Sequence, residues 1–207
     1  MDIPNKLAKP RKQRQPLGRQ IWLDTARRAL IEEGTAGVEI NKLAKRLKVT
    51  RGGFYWFFKN RAQLLEELLA YWAQTSNDLF EQVLQSQECD GLSELQALIR
   101  LWIDESEYDP KWDGAVRDWA RTSPAVLKVV ESVDQKRIAI LERIFVDLGF
   151  RGMDAQIRAR ITYYHQVGYY ALAIRESRKR RLELMPYYVR ALTSSVRGIE
   201  TPGTGAL

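Results

Sequence analysis

Apolar positions recur along this chain at intervals of three and four, and that period predicts helices from end to end, about nine in all, with no strand alternation. A first helix over 17–33 places Ile21, Thr25, Ala26, Ala29 and Leu30 inward, and Gly34 suits the residue just past its end. A second, 41–47, carries the stripe Ile40, Leu43, Ala44 and Leu47 and leaves Asn41, Lys42, Lys45, Arg46 and Lys48 in water. Lys48 and Val49 form a turn, and Thr50 is a candidate N-cap whose hydroxyl accepts from a backbone N–H two or three residues on. The third helix, 51–57, sends Phe54, Phe57 and Phe58 into the core of a three-helix module.

A long helix over 62–86 buries Leu64, Leu65, Leu68, Leu69, Trp72, Leu79, Phe80, Val83 and Leu84. Further helices are expected at 93–107, ended by Asp109-Pro110, and at 111–121. Ser123-Pro124 reads as N-cap and first residue of a helix to 148, closed by Gly149. The next spans 154–177, its end covered by Arg175, Arg178, Lys179, Arg180 and Arg181, which suit a C-terminal dipole. Pro186 opens a last helix to Val196. The fold class is all-α: a basic arm over 1–16, a helix-turn-helix module over 17–61, a helical domain over 62–200 and a flexible tail over 201–207.

Charge changes the picture more than composition does. Of the 33 Lys and Arg, 15 fall in residues 1–61 against 5 Asp and Glu, a net of +10, while the remainder carries −3. A basic field confined to one end is the footprint of a polyanion partner. The arm, with Pro4, Pro10 and Pro16 among Lys6, Lys9, Arg11, Lys12 and Arg14, cannot fold alone and suits a groove or a plain tail equally. One cysteine, Cys89, rules out an internal disulfide, and no apolar run approaches about 20 residues, so a soluble cytoplasmic protein with no membrane partner is expected. One His, one Cys and no glycine-rich phosphate loop leave no catalytic site, metal site or cofactor to propose.

The helix pair at 40–65 carries the chemistry. Gly52 and Gly53 each cost about 1 kcal/mol of helix propensity, which makes sense where a backbone must approach something closely. The run Leu43-Ala44, Val49-Thr50, Gly52, Phe54-Tyr55-Trp56, Phe58-Lys59-Asn60-Arg61 and Leu64-Leu65 resembles the DNA-binding segment of the tetracycline-repressor (TetR) family of bacterial regulators. The likeness covers residues 17–70 and continues more loosely through Val116-Arg117-Asp118-Trp119-Ala120 and 133–149. It departs from the family at Lys48, where a turn glycine is usual, and at Glu39, where a Ser or Thr is usual. The resemblance implies double-stranded DNA as partner, in the bacterial cytosol at the nucleoid. Thr50 and the backbone of Arg51, Gly52 and Gly53 would hold phosphate, and Arg51 would read a guanine. Tyr55 and Trp56 would touch backbone or a thymine methyl, and Lys59 and Arg61, with Asn41 and Lys42, would position the duplex.

The 154–177 pattern has two apolar stripes, so it is either buried or shared with a partner. Ile157, Ile161, Tyr164, Gly168 and Ala171, with Tyr188, Leu192 and Val196 of the last helix, suggest a homodimer through a four-helix interface. Trp102, Trp112, Trp119, Tyr163, His165 and Tyr169 are candidates to line a cavity, and the family resemblance implies a small-molecule effector there, unnamed. Two other readings stay open: regulation by a protein partner with no small effector, and nonspecific binding to RNA or a membrane surface.

Overall fold

The computed structural model describes residues 18–85 and 90–194, with the side chain of Val83 also left aside. The expectations for the arm, the tail, Cys89 and Val196 lie outside the described residues. Among the described residues there are eight α-helices, two 3-10 segments and no strand. Two compact units meet between Leu68 and Leu69.

The first unit holds α1 (Arg19–Glu33), a 3-10 turn over Gly34–Gly37, α2 (Ile40–Leu47), a 3-10 segment over Arg51–Trp56 and the start of α3 (Arg61–Gln85). Trp22, Ala26, Ala29, Leu30, Leu43, Phe54, Phe58, Leu64 and Leu68 fill its core. The inward side of α1 differs from expectation at its start: Ile21 is exposed, and Trp22 and Leu23 are buried instead. Trp22 meets Phe54 edge to face at 5.4 Å, and Phe54 stacks on Phe58 at 5.3 Å. An indole here supplies more core volume than Ile21 could. The unit ends seven residues beyond the expected boundary because the first turns of α3 are tied into it. Asn60 caps α3 by accepting from the Gln63 N–H at 2.9 Å, and Glu67 pairs with Arg19.

The second unit contains the rest of α3, α4 (Gly91–Asp104), α5 (Pro110–Ala120), α6 (Pro124–Asp147), α7 (Gly152–Ala171) and α8 (Arg178–Thr193). Asp109-Pro110 opens α5 rather than ending α4: Asp109 accepts from the N–H groups of Lys111 and Trp112, and α4 stops at Glu105 in the left-handed region. Gly149 closes α6 at φ 95°, as its sequence suits. The largest departure is at the C-terminal end. α7 stops at Ala171, Arg178–Arg181 form the first turn of α8 with Arg175 in the loop before it, and Pro186 lies inside that helix rather than at its start. Cations at a helix N-terminus oppose the dipole. Here they are offset by contacts to the end of α4, Arg178 to Asp104 at 2.7 Å and Arg181 to Glu105 and to the Trp102 carbonyl.

A buried ionic network joins α5, α6 and α7. Arg137, 2% exposed, donates to Asp113 at 3.2 Å, and Arg117 bridges Asp113 and Asp134 at 2.7–2.9 Å. Tyr163 donates to Asp134 at 2.7 Å; burial pushes its hydroxyl up to about 12 against the pull of Arg137 and Arg117, so it stays a neutral donor. Removing one partner from such a network leaves an uncompensated buried charge. Asp113→Ala is therefore expected to lower unfolding free energy by about 3–5 kcal/mol in chemical denaturation. A loss below about 1 kcal/mol would show that Arg137 is satisfied without it.

Candidate nucleic-acid interface and cavity

The six residues Arg51–Trp56 form a 3-10 segment rather than an α-helix, and their faces divide at i, i+4 spacing. Phe54 and Phe58 point into the core, whereas Arg51 and Tyr55 point out. The outward pair is a unit: the Tyr55 hydroxyl accepts from Arg51 Nε at 3.2 Å and Nη2 at 2.7 Å. A guanidinium has five N–H donors, so this contact orients Arg51 while leaving donors for another ligand. Trp56 beside them is 86% exposed, far more than an indole needs for any role in the fold.

A methyl group built on Gly52 would come no nearer than 3.7 Å to any neighbour outside the adjoining residues, and one on Gly53 no nearer than 3.9 Å. Neither residue has positive φ. Among the described residues nothing requires glycine at either position.

Several expected contributions differ in detail. Thr50 sits at the N-cap with extended backbone, yet its side chain makes no cap hydrogen bond; its carbonyl accepts from the Gly53 N–H at 3.1 Å instead. Lys48 takes the left-handed conformation, φ 55°, that a glycine would adopt at this turn. Arg61 is partly engaged within the protein: its Nε donates to the Val38 carbonyl at 2.6 Å and its Nη2 to the Thr35 carbonyl, so it braces α3 against the 34–37 turn. Lys42 is engaged by Glu33 at 3.1 Å and by the Ala36 carbonyl, with Glu39 at 3.7 Å. Lys42, then Arg46, hold Glu33 below the usual carboxylate range. Asn41 and Lys59 are exposed. The Lys59 N–H donates to Gln63 Oε1 at 2.7 Å, which anchors the backbone and leaves the ammonium stem outside.

In the second unit a cavity of about 220 Å³ lies between α4, α7 and α8. Trp102, His165 and Tyr169 line it, as the sequence reading expected. Trp112, Trp119 and Tyr163 do not. Tyr163 belongs to the ionic network, and Trp112 meets Tyr71 at a tilt with ring centres 5.4 Å apart. Sequence reasoning missed Gln166 on α7, and Arg181 and Met185, whose place depends on where α8 begins. Of the expected interface residues, Ile157, Ile161, Tyr164, Ala171 and Tyr188 are exposed, Gly168 and Leu192 half-buried. Leu192 packs partly against the core of its own unit, while a methyl on Gly168 would meet nothing within 4 Å.

No helix among the described residues is long and apolar enough to cross a membrane, and none of their His, Cys, Asp and Glu side chains cluster as a metal site would need.

Residues 23–68 match the sequence family described as "Bacterial regulatory proteins, tetR family". The "HTH-type transcriptional regulator AcrR" of Shigella flexneri is 32% identical over 81 residues, 39% of this chain and 36% of that protein, so the alignment spans little more than a third of this relative. The "Probable acrEF/envCD operon repressor" of Escherichia coli (strain K12) is 23% identical over 152 residues, 63% of this chain and 68% of that protein. A crystal structure of a TetR transcriptional regulator from Legionella pneumophila superposes with a TM-score of 0.66 at 11% identity, covering 92% of this chain and 98% of that one, a likeness of fold.

Gly52→Ala separates the fold from the interface. Thermal unfolding is expected to be unchanged or raised, since alanine fits and lowers unfolded-state entropy by about 0.4–1 kcal/mol, whereas affinity for duplex DNA is expected to fall at least about tenfold. Unchanged duplex affinity would show that close backbone approach is not why glycine stands there.

Proposed function

Since this chain belongs to the tetR family of bacterial regulatory proteins, we propose that it regulates transcription in the bacterial cytosol as a dimeric repressor, released from a pseudo-palindromic operator by a small-molecule effector. The observation that carries this reading is the outward face of the 51–56 segment. Arg51 is pre-oriented by Tyr55, Trp56 is bare, and two glycines stand where the fold needs none. Such a face fits between sugar-phosphate ridges, with Arg51 donating to guanine O6 and N7 and the 51–53 backbone against phosphate.

The exposed apolar side chains of α7 and α8 support the same reading. Ile157 and Tyr164 are 41% and 58% exposed on one side of α7, and Tyr187 and Tyr188 lie exposed on α8. A second copy would cover these side chains and pair two reading segments for two half-sites about 34–36 Å apart. The effector would act from the cavity. Trp102 on its wall meets Phe80 of α3 at 5.7 Å, so a ligand that shifts Trp102 presses on the helix that begins in the reading module. The coupling needed is about 1–3 kcal/mol.

Arg51→Ala is expected to weaken operator binding by about 1–3 kcal/mol and relax preference at one base pair, while Lys59→Ala weakens all sequences alike. Competition assays with operator and random duplex check this; equal losses on both duplexes for both variants would remove the assignment. Tyr164→Asp is expected to yield a folded monomer by analytical ultracentrifugation, with operator affinity falling to that of a single half-site. A variant that remains a dimer would move the interface elsewhere.

A further inference from the structure

The cavity between α4, α7 and α8 has a specific chemical character. Ile99, Ile103, Ile161, Met185 and Leu192 make it largely apolar, and the rings of Trp102, His165, Tyr169 and Tyr188 give it flat walls. Most of the polar groups facing it are already engaged. Thr162 donates to the Arg158 carbonyl at 2.8 Å. Arg181 donates to Glu105, to the Trp102 carbonyl at 2.8 Å and to Tyr170, and its guanidinium lies 4.6 Å from the Tyr169 ring centre. The two formal charges on the wall, Arg181 and Glu176, are opposite in sign, so a ligand of either charge would meet one of them as a like charge. Burial holds His165 below its ordinary value, which leaves it neutral near pH 7.

Gln166 is not so engaged. It is 7% exposed and lines the cavity, and its side-chain Nε2, itself closed to solvent, has no hydrogen-bond partner among the described residues. A buried amide donor without an acceptor is destabilising, and a ligand that supplies the acceptor removes that penalty. A site built to hydrogen-bond one polar atom also discriminates strongly against an analogue lacking it.

We propose that this cavity takes an uncharged, flat aromatic molecule of about two rings carrying one hydrogen-bond acceptor of the carbonyl type, which accepts from Gln166 Nε2 once that amide turns toward it, while its rings lie among Trp102, Tyr169 and Tyr188. This inference rests on the reading of the second unit as the effector-binding part of the protein, and names the effector's class.

Isothermal titration of the full chain with 2-acetylnaphthalene, 2-ethylnaphthalene, 2-naphthoate and phenyltrimethylammonium tests it. The ketone is expected to bind at least about tenfold more tightly than its ethyl counterpart and than either ion. In Gln166→Met the ketone and ethyl compounds are expected to bind within about twofold of each other, because only the donor is lost. The ligand series on the unaltered protein stands by itself should that variant not fold. Absence of binding by all four, equal binding of ketone and ethyl compound, or preference for an ion would overturn the proposal, as would an unchanged preference in Gln166→Met. Duplex affinity measured with each probe keeps the two readings apart. A ketone preference set by Gln166 with no effect on DNA would overturn effector release and leave this site standing. DNA release by a probe that shows no such preference would do the reverse.

Discussion

The Arg51–Trp56 segment is held from behind. Phe54 and Phe58 are inserted beside Trp22, and this three-ring contact fixes the backbone of a short turn that could not hold itself: six residues of 3-10 geometry with two glycines have little intrinsic stability. With Phe54 and Phe58 buried, Arg51 and Tyr55 are both left on the exposed side. The Arg51–Tyr55 hydrogen bonds then add order on the exposed side. Asn60 and Gln63 start α3 directly afterwards, and Arg61 ties that start to the 34–37 turn. Every outward group in the segment thus depends on an aromatic core placed within the same few residues.

The second unit uses charge where the first uses rings. Arg117, Arg137, Asp113, Asp134 and Tyr163 join three helices through directional contacts, and so define their register more narrowly than apolar packing would. A second ionic contact, Arg178 and Arg181 against Asp104 and Glu105, docks the start of α8 on the end of α4. The cavity exists because α8 is held by that contact at one end and by Met185 and Val189 against Ile103 along its length. The pairing also engages the cation that would otherwise dominate the cavity wall, while Gln166 Nε2 has no partner among the described residues.

The helical repeat made most of the architecture legible: α1, α2, α3, α5 and α6 begin and end within a few residues of where caps, Gly34, Pro124 and Gly149 place them. The boundary between α7 and α8 was not legible, since Arg178–Arg181 reads locally as a good helix end and only the distant Asp104 and Glu105 make it a helix start. Trp22 and Ile21 exchanged roles because adjacent apolar residues look alike to a periodicity count, and the partner that decides between them, Phe54, lies far along the chain. At the candidate interface, exposure of Tyr55 and Trp56 followed from the pattern of phenylalanines around them. The engagement of Arg61 by backbone carbonyls did not, because a basic residue beside a basic surface carries no mark of an inward partner. Likewise Gln166 is one polar residue on a helix, and its isolation inside a cavity emerges only when three helices are assembled.

The central claim is that the Arg51–Trp56 face reads base sequence as part of a twofold assembly. Selection of bound duplexes from a random pool at two salt concentrations tests this most directly, because it reports specificity, symmetry and half-site spacing in one experiment. The account predicts an inverted repeat with half-site centres about one helical turn or a multiple of it apart, unchanged in sequence at the higher salt although weaker in affinity. Recovery of unrelated sequences whose binding disappears uniformly with salt, or of a single asymmetric half-site, would contradict it.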